Sequence, residues 1–195
     1  MTPYEYVIGF DPSLTCSGLA IWSLDDYAGE RVSSTTIPVP TIPHATLRED
    51  GYRIARMVKT ATTAIDALVY RRRSLALFEG PIPHMRNAGK QHERAGVFWG
   101  VATHLLGFAD IARVPPSVLK KYWTGTGNAD KPRMVEAVGN HWSGRLVRTD
   151  DEADALALAH MGVRAILGPS PWFYPTDTTL LRKVDWPAGF KMKGD

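Results

Sequence analysis

The sequence predicts an α/β fold in which a mixed five-stranded sheet, three antiparallel strands followed by parallel ones, carries helices on both faces. Three observations lead there. Two strand-like runs near the start lie so close together that a hairpin is the natural link between them. From Leu47 onward, stretches of helical and of strand period alternate twice, and the chain then runs on as helices. With 195 residues, 44% of them hydrophobic and 22% charged, it can bury one substantial core.

Taken in order, Tyr4-Glu5-Tyr6-Val7-Ile8-Gly9-Phe10 is rich in β-branched and aromatic residues and stops at the turn Asp11-Pro12-Ser13, so it reads as the first strand. The second runs from about Gly18 to Ser23, and a third, Arg31 to Val39, is weakened by Pro38 and Pro40. From Leu47 to Val69 the residues Leu47, Ile54, Val58, Ala61, Ile65 and Leu68 recur mostly at three- and four-residue spacing, the pattern of an amphipathic helix laid on a sheet. Ser74-Leu75-Ala76-Leu77-Phe78 is a continuous apolar run ending at Glu79-Gly80-Pro81, as in a central strand buried on both faces. A helix from Gln91 to about Leu106 follows, then a strand, Ile111 to Val114, that ends at Pro115-Pro116. Helices are predicted at Ser117 to Trp123, Lys131 to His141 and Asp151 to Leu167. After Gly168 the composition changes, with Pro169, Pro171, Pro175 and Pro187 interleaved among Trp172, Phe173, Tyr174 and Trp186. Residues 1–168 are therefore read as one domain and 169–195 as a tail lying on it.

No basic leader runs into an apolar core, and no apolar run reaches the roughly 18–20 residues that span a bilayer, so a soluble, cytoplasmic protein without membrane partners is expected. Cys16 is the sole cysteine, which excludes an internal disulfide and a cysteine-based zinc site and suggests small-residue packing. The net charge of +3 is mild, but Arg71-Arg72-Arg73, Lys120-Lys121, Lys131 with Arg133, and Arg182-Lys183 form basic clusters that permit a polyanionic partner.

The run Thr149-Asp150-Asp151-Glu152-Ala153-Asp154-Ala155-Leu156 puts several carboxylates at the head of an otherwise apolar helix. Thr149 and Glu152 make a capping box, and acids in a first turn complement the helix dipole. Capping does not account well for Asp154, one turn in, which lies on one face with its neighbour three or four residues before it. Asp11 and Glu79 each close a predicted strand, and if those strands are neighbours all these acids converge. An oxygen-only cluster suits a hard divalent cation such as magnesium, with manganese as a substitute, and so phosphoryl-transfer chemistry. The segment Lys120 to Arg133 adds a glycine-rich turn and a helix start with Asp130 as N-cap, able to present Lys131 and backbone amides to a phosphate.

Four motifs, in order, resemble the RuvC group of Holliday-junction resolvases, which have the ribonuclease H-like fold. They are Gly9-Phe10-Asp11-Pro12-Ser13-Leu14-Thr15-Cys16-Ser17-Gly18, Phe78-Glu79, Thr124-Gly125-Thr126-Gly127-Asn128-Ala129-Asp130-Lys131 and Asp151-Glu152-Ala153-Asp154-Ala155-Leu156. The resemblance implies that Asp11, Glu79, Asp151 and Asp154 are catalytic acids holding two metal ions, and that Lys120 and Lys131 are active-site basic residues. It favours Asp151 over Asp150, although helix geometry accepts either, and it implies a homodimer whose two sites nick opposing strands of a four-way junction. Lys121, Arg133, Arg86 and Lys90 are further candidates for DNA contact. After Glu79, where bacterial members carry an aromatic wedge, this chain has Gly80-Pro81-Ile82-Pro83-His84-Met85, leaving Ile82 and Met85 as apolar wedges. That divergence, with the tail, fits a bacteriophage member acting in the host cytoplasm.

The expected activity is divalent-metal-dependent endonucleolytic hydrolysis of branched DNA, with water as nucleophile. Two alternatives stand beside it: a module that binds branched DNA without cutting, and an actin-like or sugar-kinase-like ATPase, for whose second lobe a chain of this length is expected to be too short. His160 is expected to be a packing residue, and Trp123 a candidate for stacking on DNA.

Overall fold

The structure, a computed structural model, describes residues 2–25, 32–80, 91–142, 147–168 and 178–194. Its strands are β1 (Tyr6–Asp11), β2 (Cys16–Ser23), β3 (Val32–Pro38), β4 (Ser74–Glu79) and β5 (Ala109–Val114). Its α-helices are α1 (Leu47–Val69), α2 (Gln91–Leu105), α3 (Pro116–Thr124), α4 (Lys131–His141) and α5 (Asp150–Leu167). The sheet order is β3-β2-β1-β4-β5. The first three strands are antiparallel, and β4 and β5 join parallel to β1. This is the mixed five-stranded sheet expected, with the proline-bearing β3 at an edge, where a missing backbone donor costs least.

Strand alternation sorts the chain into two cores. Ile8, Phe10, Leu19, Ile21, Ala76 and Phe78 face α1 and α2. Val7, Ala20, Trp22, Leu75 and Leu77 face α3, α4 and α5. Asp11 and Glu79 keep the phase of Val7 and Leu77, so both acids belong to the α5 side.

Two glycines let α5 lie directly on the strands. A Cβ at Gly9 would stand 2.1 Å from the Ala155 carbonyl oxygen, and one at Gly18 would stand 1.8 Å from that of Asp151. Only a residue without a side chain permits backbone to approach backbone so closely.

The α1 stripe differs from the expected one. Asp50, Arg53, Met57, Ala61, Ile65 and Val69 are buried, whereas Leu47 is 91% exposed because it starts the helix ahead of the sheet, and Leu68, beside the stripe, is 45% exposed. The buried Arg53 is no anomaly: it bonds the Pro40 carbonyl at 3.0 Å and the Asp50 carboxylate at 2.9 Å, tying the exit of β3 to the helix.

Residues 178–194 pack into the α3 and α5 core. A 3-10 turn, Thr179–Lys183, buries Leu180 and Leu181, and Asp185 bridges to Arg113 on β5. Trp186 stacks on Phe190 with ring centroids 4.6 Å apart. No helix among the described residues is long and apolar enough to cross a membrane.

Candidate active site

β1 and β4 are parallel neighbours whose last paired residues are Phe10 and Phe78, so the next residues, Asp11 and Glu79, emerge side by side at the C-terminal ends of the strands. Both are buried, at 5% and 7% exposure. The β1–β2 turn below them is held by serines: the Ser13 amide donates to Ser17 Oγ, and that hydroxyl donates to the Ser13 carbonyl, both at 2.9 Å. The third acid enters from α5. Thr149 caps that helix by accepting from the Glu152 amide at 3.1 Å. The expected reciprocal half of the capping box is absent, because Glu152 instead accepts from the Arg148 amide at 3.2 Å and from the Ser34 hydroxyl at 2.5 Å. Glu152 therefore anchors α5 to β3, while Asp150 and Asp151 in the first turn and Asp154 one turn in lie over the strand ends.

Crowding shapes the electrostatics. Burial pushes the Asp11 carboxyl well above its ordinary range, and the adjacent Glu79 and Asp154 push it further, against the pull of Arg94. Asp154 is pushed up to about 8, first by burial and then by Glu79 and Asp150. Its Oδ1 is buried and has no hydrogen-bond partner among the described residues. Burial also raises Asp151, against a hydrogen bond from the Cys16 thiol. That thiol is itself pushed up to about 11 by burial and by Asp151. Cys16 is thus a partner of a site carboxylate, not the buried packing residue expected.

Among the described residues, three cations answer the acids. Lys131 pairs with Asp150, which raises the lysine. Lys120 lies near enough to Asp154 to lower its carboxyl. Arg94, in the first turn of α2, was not a candidate in the sequence because nothing about an arginine there marks it. It reaches round the strand ends from the opposite face of the sheet: Nε donates to the Pro12 carbonyl at 2.9 Å, and Nη2 lies 3.1 Å from Glu79 and 3.4 Å from Asp11.

The structure thus brings together Asp11, Glu79, Asp151, Asp154, Lys120 and Lys131. Lys121 is exposed on α3. Arg133 serves the α3–α4 turn, its guanidinium donating to the Thr124 carbonyl at 3.0 Å while its amide donates to the cap Asp130. The candidates Arg86, Lys90, Ile82 and Met85 lie outside the described residues. Trp123 does not offer a stacking face: it is 2% exposed, packed among Trp142, His141 and His160. His160 is the packing residue expected, fully buried in that aromatic cluster.

The donor set is all oxygen, Asp11 and Glu79 are buried together with the half-buried Asp154 acting on both, and Asp154 Oδ1 lacks a partner among the described residues, which fits a hard divalent cation. As they stand, no three of the described acids converge closely enough to ligate one ion.

No family model matches the chain, and no curated protein is returned as a relative. Among solved structures it is similar to Thermus thermophilus RuvC, with a TM-score of 0.56 and 19% identity across 79% of this chain and 90% of that one. It is also similar to T. thermophilus RuvC in complex with Holliday junction substrate, with a TM-score of 0.58 and 16% identity across 80% of this chain and 90% of the other. The fold is RuvC-like, within the ribonuclease H-like architecture.

Proposed function

We propose that this protein is a divalent-metal-dependent, structure-selective DNA endonuclease whose preferred substrate is a four-way junction. The observation that carries the reading is the meeting of Asp11, Glu79 and Asp154 at the strand ends, with a buried carboxylate oxygen left without a partner. Burying several acids together is costly unless a cation or protons compensate them. In this reading Asp11, from the centre of the sheet, would be shared between two ions, Glu79 and Asp151 would each serve one of them, and Asp154 would complete the set. Magnesium or manganese held there would activate water as the nucleophile near neutral pH and offset charge on the phosphate.

The chain's own residues do the rest. Lys131, on the exposed rim, leaves Asp150 to meet the charge that builds on the pentavalent phosphate, and Lys120 faces the same cluster from α3. Lys121 extends this basic edge for backbone contact, and the segment carrying Arg86, Lys90, Ile82 and Met85 follows directly on Glu79, where a junction centre would be engaged. Two copies related by a two-fold axis would match the symmetry of a four-way junction and nick opposing strands.

The test is incubation of purified protein with a labelled four-way junction, a flap and a linear duplex, with and without magnesium, beside Asp11→Asn. Magnesium-dependent junction cleavage by the parent and at least a ~100-fold loss in Asp11→Asn is the expected result. No cleavage by the parent overturns the enzyme reading, and equal cutting by Asp11→Asn overturns the site. A second reading, a module that binds branched DNA without cutting it, is favoured by one observation: Arg94 and Lys131 already pair with acids of the cluster. Tight junction binding with no cleavage in either cation would establish it.

A further inference from the structure

Among the described residues, Arg94 is the one cation that touches both Asp11 and Glu79, and it does so from the far face of the sheet. Its place is built: the Nε bond to the Pro12 carbonyl at 2.9 Å fixes the guanidinium across the strand ends, and Nη2 then falls between two carboxylates that are 7% and 8% exposed at their side chains. The Arg94 side chain is 39% exposed, so it can leave toward solvent without unpacking α2. Without it, Asp11 and Glu79 would face each other and Asp154 with no opposing charge from that side among the described residues.

We propose that Arg94 is a resident counter-cation that holds the Asp11–Glu79 pair together in the metal-free protein and is exchanged for a divalent ion when the site loads. This rests on the metal-site reading above and adds that loading is a competition. The ion must displace a fork that satisfies both acids and a backbone carbonyl. The arginine therefore stabilises the metal-free state and weakens apparent metal affinity, as any competing cation must.

The test compares parent, Arg94→Gln and Arg94→Lys, measuring Mn²⁺ binding by calorimetry and thermal midpoints in chelator and in Mn²⁺. Arg94→Gln should bind Mn²⁺ about tenfold or more tightly than the parent. Its midpoint should be lower in chelator and recover on adding Mn²⁺. Arg94→Lys keeps the charge but cannot span two carboxylates and the Pro12 carbonyl at once, so its affinity should lie between, and it supplies a folded comparison if Arg94→Gln does not fold without metal. The sign separates the proposal from a merely structural role, since a damaged site would bind metal more weakly. Unchanged or weaker Mn²⁺ binding in both variants, with binding by the parent intact, overturns the exchange and leaves the metal site standing. Absence of binding by all three proteins overturns the metal site itself.

Discussion

Asp154 shows at the level of one residue how position converts an ordinary acid into a strained one. Capping left it over in the sequence, and in the fold it is pushed up to about 8 by burial and by Glu79. An acid whose folded value is raised costs nothing below its unfolded value near 3.9, where both states carry the proton. The cost grows from about pH 4 to pH 8, because the unfolded chain has released the proton and the folded one still holds it. Asp154→Asn, close in shape to the protonated acid, should therefore match the parent near pH 4 and exceed it by about 1–3 kcal/mol near pH 8 in chelator. Denaturant unfolding across that range checks it, and a gain that shrinks as pH rises contradicts the assignment. The resemblance favoured Asp151 over Asp150. In the structure Asp151 meets Cys16 and Asp150 pairs with Lys131, and of the two it is Asp150 that acts more strongly on Asp154.

At the level of the element, the site depends on how closely α5 lies on β1 and β2. Gly9 and Gly18 occur within the first motif, where their role could not be read without knowing which helix crosses them. Gly18→Ala would place its Cβ 1.8 Å from the Asp151 carbonyl oxygen, so the first turn of α5 must lift and carry Asp151 away from Asp11. A loss of about 3 kcal/mol or more is expected by denaturant unfolding. Gly162→Ala meets only side-chain methyls, Leu77 Cδ1 at 2.5 Å and Val7 Cγ1 at 2.6 Å, which can turn aside. It should cost about 1 kcal/mol. Equal losses would show that α5 is freer to move than this packing implies. Element positions were otherwise well legible, because period and turn residues are local properties: α1 and α4 begin and end where the sequence places them.

Across the whole molecule, the α5 side of the sheet is tied together by an aromatic cluster. Trp22 from β2, Tyr122 and Trp123 from α3, and His141 and Trp142 from α4 surround His160 of α5. Burial drives His160 well below its ordinary range and lowers His141 as well. A base depressed in the folded state contributes stability above its unfolded value near 6.5 and loses it as pH falls toward the folded value. His160 should therefore cost the fold stability as the pH falls below the unfolded value, where the unfolded chain takes up a proton that the buried ring resists. Between pH 7 and pH 5.5 the raised acids pull the other way, so the effect is read by comparison: the thermal midpoint of His160→Phe should gain on that of the parent as the pH falls through this range. A difference between the two proteins that does not change with pH would place acid sensitivity elsewhere.

The sequence by itself determined the order and type of the elements, the mixed sheet, and the residues Asp11, Glu79 and Asp154 as acids needing a common explanation, since periodicity, turn chemistry and charge against an apolar background are written locally. Only the tertiary structure decided which partners those acids have. Arg94 reaches them from the opposite face of the sheet, Cys16 at the start of β2 meets Asp151 on the helix that crosses it, and Trp123 turns inward to His160. Such contacts join residues far apart in the chain, and their geometry exists only once strands and helices have packed.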